Sequence, residues 1–122
     1  MALTSDLNGT GLSATQARML GETVSDAITA AGITQGTATL LTSSINCVTT
    51  VAVGANGVRL KPIISIESAL TMVRNSDTAD ALNVYPASGE FINEGLVDIP
   101  VVILAGTAKV FFKVSATKWI ST

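Results

Sequence analysis

The sequence predicts a mainly β protein: an antiparallel β-sandwich or barrel of the jelly-roll type, with an N-terminal arm and one α-helix. From Thr37 onward, Thr, Val, Ile and aromatic residues concentrate in short runs, as they do in strands. Clusters of Gly, Asn, Asp, Ser and Pro separate these runs at intervals of about 8–12 residues, which is typical of antiparallel sandwiches and barrels. The 122 residues suit one folded unit. We divide it into an arm and helix for assembly at 1–32 and an antiparallel β domain at 33–122.

The N-terminal part is predicted to begin with an arm over residues 1–12, which lack periodicity. A helix follows over 13–31, because Ser13 and Gln16 have the spacing of a capping box and Gly32 suits a helix end. Apolar residues recur along it at spacings of three and four, namely Ala17, Leu20, Val24, Ala27 and Ala31. Such a seam needs a partner surface, which is either symmetry mates near a trimer axis or the protein's own sheet. The remaining alternative is that this stretch is an extended arm.

The β domain is divided into strands by its turn residues. The predicted strands are 37–41, 47–53, 58–61, 63–66, 69–74, 82–85, 91–92, 101–104, 109–114 and 119–121. In the strand at 109–114, alternation places Val110, Phe112 and Val114 on one apolar face, which we expect to be the core. Phe111 then lies among lysines on the other face, covering an edge or meeting a neighbouring subunit. Trp119 is predicted to be a C-terminal anchor that either folds back onto its own domain, which we favour, or caps a subunit interface.

The composition predicts an assembled protein. Only 13% of the residues are charged, against about 25% in ordinary soluble proteins, and a surface short of charge is expected to be covered by other subunits. The alternative is a compact monomer coated with Thr and Ser. The net charge is −2 and the Lys and Arg residues form no basic stripe, which argues against direct nucleic-acid binding. No apolar run approaches the roughly 20 residues of a membrane span, so no membrane partner is expected.

The sequence offers little for catalysis. It has no His, which excludes Ser-His-Asp and Cys-His relays and His-based metal sites. Its one cysteine, Cys47, lies in a β-prone run and is expected to be a small buried apolar residue. We therefore expect no enzyme activity, no cofactor and no metal.

Two acidic groups allow alternatives. Asp77 and Asp80 lie in a polar loop that is able to bind calcium, but turn chemistry explains their side chains better. The acids at 90, 94 and 98 include a conceivable glycosidase pair, although acids in a glycine-containing connection are more often solvated.

Several segments resemble a recurring module of tailed-bacteriophage virion proteins. They are 30–39 (AAGITQGTAT), 46–51 (NCVTTV), 57–62 (GVRLKP), 79–86 (ADALNVYP), Gly89, Ile92-Asn93, Ala105-Gly106 and 114–119 (VSATKW). The resemblance implies a β-rich homotrimer made in the host cytoplasm and exposed on the capsid exterior. There it would act as a decoration, or cement, protein that binds between major capsid proteins and stabilises the head. The alternative is a head- or tail-fibre component with a receptor- or glycan-binding role.

Eight residues are predicted to form the partner or oligomer interface. They are Leu12, Ala17, Leu20, Val24, Ile28, Arg59, Phe111 and Trp119. The first five belong to the arm and helix that would anchor the protein. Arg59 is included because a cation on a sheet face is able to meet acids on a neighbour.

Overall fold

The chain forms two β-sheets in a computed structural model that describes residues 23–52, 56–62 and 70–122. The strands are β1 (Val24–Ala30), β2 (Thr39–Leu40), β3 (Ile45–Val51), β4 (Gly57–Arg59), β5 (Leu70–Asn75), β6 (Leu82–Tyr85), β7 (Phe91–Ile92), β8 (Val101–Ile103), β9 (Ala108–Lys113) and β10 (Lys118–Ser121). The six-stranded sheet has the order β1-β3-β5-β9-β10-β7, and the four-stranded sheet has the order β2-β4-β6-β8. The described residues contain no helix.

Consecutive strands alternate between the two sheets from β1 to β9. The chain therefore leaves a sheet after each strand, forms one strand in the other sheet, and then returns to the first. The neighbours β1, β3 and β5 run parallel in the six-stranded sheet, and β2, β4 and β6 run parallel in the four-stranded sheet. The later strands β8 and β9 pair antiparallel with β6 and β5. Both sheets are therefore mixed.

A single cluster of buried apolar side chains lies between strands of both sheets. The six-stranded sheet contributes Val48, Val51, Val73, Ile92, Phe111 and Trp119, and the four-stranded sheet contributes Val58, Leu82, Val84 and Ile103. Burial of one large apolar side chain contributes about 1.5–3 kcal/mol to stability. The two sheets therefore stabilise each other through this shared core.

Buried polar groups join the sheets where their strands end. Asn75, at the end of β5, is wholly buried. Its amide group donates to the carbonyl oxygens of Ile103 (3.0 Å) and Asp80 (2.9 Å), and its Oδ1 accepts from the backbone N–H of Asp77 (3.1 Å). Since β5 and β8 belong to different sheets, this one side chain fixes the end of one sheet to the other.

The start of β4 is a close backbone junction. The N–H of Ala31 donates to the carbonyl of Gly57 (3.3 Å), and the N–H of Gly57 donates to the carbonyl of Gly32 (3.1 Å). A Cβ at Gly57 would lie 2.8 Å from the carbonyl oxygen of Asn83 and 2.8 Å from the ring of Tyr85. Only glycine fits there, because β6 and the Tyr85 ring lie directly against the backbone.

The structure corrects the N-terminal prediction. The predicted helix over 13–31 is wrong for Val24–Ala30, which form strand β1 paired with β3. Register shifts interrupt this pairing around Ile28, and Ala27 has a φ of 72°. A β-bulge of this kind replaces the period of two by spacings that imitate a helix. Residues 1–22, with the arm and the first half of the helix, lie outside the described residues, and the boundary between 32 and 33 stays a prediction.

The predicted mainly β fold is confirmed, but the predicted strand directions are wrong. Nine of the predicted strands overlap observed strands, while the one at 63–66 lies outside the described residues. The purely antiparallel arrangement is wrong, because β1, β3 and β5 run parallel in one sheet and β2, β4 and β6 run parallel in the other.

Candidate functional site

The outer face of the six-stranded sheet carries a continuous group of apolar side chains. In one row across the strands, Val24 pairs with Ile45, Ile45 with Met72 and Met72 with Val110. In the next row, Leu70 pairs with Phe112 and Phe112 with Ile120. Residues paired in register point to the same side of a sheet. We call this surface the apolar face and define it by Val24, Ile45, Leu70, Met72, Val110, Phe112 and Ile120.

The apolar face is open to solvent in the single chain. The exposed fractions are 66% for Val24, 47% for Leu70, 40% for Phe112 and 38% for Ile120. The next row consists of Cys47, Arg74 and Ala108, so that one charged residue borders the face there. Contiguous exposed apolar surface of this kind marks sites of association, because contact with another apolar surface removes it from water.

The strand sequences produce this face because both of their sides are apolar. On β9, Phe111 points into the core and is wholly buried, while its neighbour Phe112 points outward. On β10, Trp119 points inward and Ile120 outward. The indole N–H of Trp119 donates to Glu90 Oε1 (2.9 Å) in the buried interior. The inner side chains therefore hold the strands in a fixed register, and the outer ones form a preformed apolar surface.

A second group of exposed apolar residues belongs to β8 and to the residues on either side of it in the sequence. Its exposed members are Leu96, Val97, Ile99, Val102 and Leu104. Asp98 fixes the segment before β8, since its Oδ1 accepts from the amide of Gln35 (3.0 Å) and from the backbone N–H of Gly89 (2.8 Å). The strand β8 pairs with β6 on one side and, among the described strands, ends the sheet on the other. Its outer edge has backbone groups that another strand is able to pair with.

The acidic residues considered for chemistry have structural partners. Glu90 accepts from Trp119, and Glu94 forms a surface ion pair with Lys118 (3.0 Å). Asp77 accepts backbone hydrogen bonds from Val51, Ala79 and Asp80 at 2.8–2.9 Å. The hydrogen bond from Asp80, followed by those from Val51 and Ala79, lowers the pKa of Asp77 below its usual 3.8.

The turn interpretation of the 75–80 loop is therefore confirmed, because Asp77 and Asn75 bind loop backbone groups. Within the described ranges, no group of three or more His, Cys, Asp or Glu residues is arranged to hold a metal ion.

A small pocket opens on the four-stranded sheet. Its lining residues are Leu40, Arg59, Pro62, Ala87 and Ser88, and its volume is about 240 Å³. Leu40 and Arg59 are paired in register on β2 and β4. Among the lining residues that the structure describes, Arg59 is the only charged one.

The predicted interface residues have different environments. Leu12, Ala17 and Leu20 lie outside the described residues. Val24 lies at the end of the apolar face, and Ile28 packs against the core of its own chain. Arg59 lines the pocket.

Two predictions for aromatic residues can be compared with the observed burial. Phe111 is wholly buried in its own chain, so its predicted contact with a neighbour is wrong. Trp119 folds back onto its own domain, as we favoured, and is likewise buried.

The cysteine is less buried than predicted, because Cys47 is half-buried in the structure.

Phe111 was assigned to the wrong face because of the lysines beside it. Alternation correctly puts Lys109, Phe111 and Lys113 on one side of β9, but this side is the core side. Both lysines are half-buried near the strand ends, and Lys109 Nζ reaches the carbonyl of Thr122 (2.8 Å). Long lysine side chains cover apolar surface while their charged ends stay hydrated. The sequence did not reveal the two rows of the apolar face. Finding them requires the order of the strands in the sheet, and no local sequence pattern contains that order.

No known protein family, curated protein or solved structure matches this chain. In the part of the chain that the structure describes, no helix is long and apolar enough to cross a membrane.

Proposed function

We propose that this chain is a structural protein of a bacteriophage virion, a homotrimer that decorates the capsid exterior by binding between major capsid proteins and so stabilises the head. The observation that carries the proposal is the apolar face, where Leu70, Phe112 and Ile120 lie side by side and exposed. In the trimer this face contacts a second copy of the chain. The protein has no catalytic role in this function, and needs no nucleic acid or membrane.

The fold supports this role if the two sheets pack face to face as a sandwich, which we include in the proposal. The shared core and the Asn75 hydrogen bonds to β8 hold the sheets together. A rigid subunit keeps its contact surfaces in fixed relative positions. Three modest capsid contacts on one rigid trimer then act at high effective concentration, which raises the total affinity well above that of a single contact.

The low charge supports self-association. Charged residues make up 13% of the chain, and the apolar face has few of them at its border. Burial of apolar surface contributes about 25 cal/mol for each Å² removed from water. A face poor in charge gains this contribution without the cost of desolvating charged groups.

The test uses the purified full-length chain and empty shells assembled from a phage major capsid protein. Light scattering is expected to give the mass of a trimer, and co-sedimentation is expected to show saturable binding to shells. Shells stripped of bound protein should break at lower temperature or force than decorated shells. A monomer that does not bind shells contradicts the proposal.

A further inference from the structure

The pocket at Arg59 combines a cation with apolar walls. Arg59 is paired in register with Leu40 on one side and Tyr85 on the other, so its backbone is fixed at the centre of the four-stranded sheet. Leu40, Pro62 and Ala87 supply apolar wall, and Ser88 supplies a hydroxyl group. The site is therefore built on strands and the turn after β6, and the one charge among its described residues is positive.

Arg59 has no acidic partner among the described residues. The ion pair found in that part of the chain joins Lys118 and Glu94. A guanidinium group binds a carboxylate through two parallel hydrogen bonds, which are stronger than hydrogen bonds between neutral groups. Apolar walls weaken the competition from water and strengthen such a contact. The chemistry of the pocket is thus complementary to a carboxylate carried on a short aliphatic stem.

The volume of the pocket indicates the size of its occupant. Sites for small ligands and cofactors usually measure about 300–1,000 Å³, whereas this pocket measures about 240 Å³. It accommodates one side chain rather than a cofactor. Aspartate and glutamate side chains have the required charge and length.

Most acidic residues in the described part of the chain are poor candidates for the occupant. Most of those in the described part are already held within the subunit. They are Asp77, which binds backbone N–H groups, Glu90 with Trp119, Glu94 with Lys118, and Asp98 with Gln35 and Gly89. Among its described residues, a second copy therefore offers only the carboxylates of Asp26 and Asp80, and a different protein chain fits better.

From these observations we infer that the Arg59 pocket binds a glutamate or aspartate side chain of a partner protein other than this chain. The carboxylate pairs with Arg59 and accepts from the Ser88 hydroxyl, while its stem contacts Leu40 and Ala87. The site does not depend on the trimer or on the virion role. It can be tested separately from both.

The experiment titrates the full-length, 15N-labelled chain with a blocked glutamate, N-acetyl-glutamate N-methylamide, and follows backbone amide shifts by NMR. Blocked glutamine is the matched neutral probe. The amides of Leu40, Ala87 and Ser88 are expected to shift and saturate with blocked glutamate. Blocked glutamine should bind at least about tenfold more weakly, because it lacks the charge-assisted hydrogen bonds.

The variants identify the residue responsible. Arg59→Gln should abolish the saturable shifts, and Arg59→Lys should weaken them while keeping the charge. Arg74→Gln removes an exposed arginine outside the pocket and should leave them unchanged. Equal shifts with both probes, or shifts that persist in a folded Arg59→Gln protein, overturn the inference.

Two further outcomes would assign the pocket to this chain itself and overturn the assignment to a partner. In the first, Glu67→Gln strengthens the binding of blocked glutamate, which would mean that the chain's own Glu67 competes for the pocket. In the second, the same amides shift with protein concentration, and Asp26→Asn or Asp80→Asn removes that dependence. The expected result is that none of these variants changes binding.

Discussion

Asp77 joins the 75–80 loop to the end of β3 through its carboxylate. Oδ1 accepts from the backbone N–H groups of Ala79 and Asp80, and Oδ2 accepts from Val51. These hydrogen bonds favour the ionised form and lower the pKa of Asp77 below 3.8. A carboxylate whose pKa is lowered in the folded state stabilises the fold at pH values above its unfolded pKa. This contribution is lost as the pH falls through the folded pKa.

We therefore expect Asp77→Asn to reduce the acid sensitivity of the protein. Urea unfolding from about pH 6 to about pH 2 should show a steep fall in the free energy of unfolding for the natural chain and a shallower fall for the variant. At neutral pH the variant should be the less stable of the two, because an amide cannot replace both acceptor oxygens. Asp80→Asn is the control, since the Asp80 side chain holds no hydrogen bond to the described residues. An equally steep acid dependence in Asp77→Asn contradicts the prediction.

Glu90 and Glu94 both bind β10 but in different environments. Glu90 is buried and accepts from the indole of Trp119, while the Glu94 side chain is 88% exposed and pairs with Lys118. Glu90→Ala leaves a buried indole N–H without its acceptor, which is expected to cost about 1–3 kcal/mol of unfolding free energy. Glu94→Ala should cost less than about 1 kcal/mol, as for other surface pairs.

Fluorescence of Trp119, the single tryptophan, reports both the unfolding and the environment of the indole. Its emission in the native state should shift in Glu90→Ala, which loses the charged acceptor beside the indole N–H, and stay unchanged in Glu94→Ala. Similar unfolding energies for the two variants would show that the buried hydrogen bond contributes no more than the surface pair.

At the scale of the strands, the sequence predicted where each strand lies in the chain far better than which strands pair with each other. The bounds of β6 and β7 were predicted to the residue, because Thr, Val, Ile and aromatic runs end at turn residues. β1 was taken for a helix, because the bulge at Ala27 hides its alternation. Alternation also cannot say which side of β9 is the core when both sides carry large apolar residues. The order of the strands comes from the crossing of the chain between sheets, which is a long-range property.

The neighbouring residues Phe111 and Phe112 test the orientation of β9. Phe111 is wholly buried and Phe112 is 40% exposed. Phe111→Ala should lower the unfolding free energy by about 3–5 kcal/mol, as expected for a large cavity in a core. Phe112→Ala should lower the stability of the dissociated chain by less than about 1.5 kcal/mol. Urea unfolding at low protein concentration measures both, and a larger loss for Phe112→Ala would mean that the two faces are reversed.

At the scale of the whole molecule, the low charge and the apolar face both favour the proposed assembly with other copies of the chain. A single chain exposes Val24, Leu70, Phe112 and Ile120 on one side of the six-stranded sheet. The composition alone predicted assembly, but it could not identify the surface. That surface combines residues from β1, β5, β9 and β10, which are far apart in sequence and adjacent only after the sheet has formed. Of the predicted contact residues that the structure describes, Val24 is the one that lies on it.

If the apolar face joins copies of the chain, a charge placed at its centre should separate them. Phe112→Asp and Leu70→Asp are expected to convert the trimer to a monomer in sedimentation velocity, because each subunit contact would then bury an unpaired carboxylate. Leu104→Asp is the control, since Leu104 is 65% exposed and lies outside the face. Circular dichroism and Trp119 emission should show that all three variants remain folded. If Leu104→Asp dissociates the trimer and the face variants do not, the subunits associate through the edge beside β8 instead.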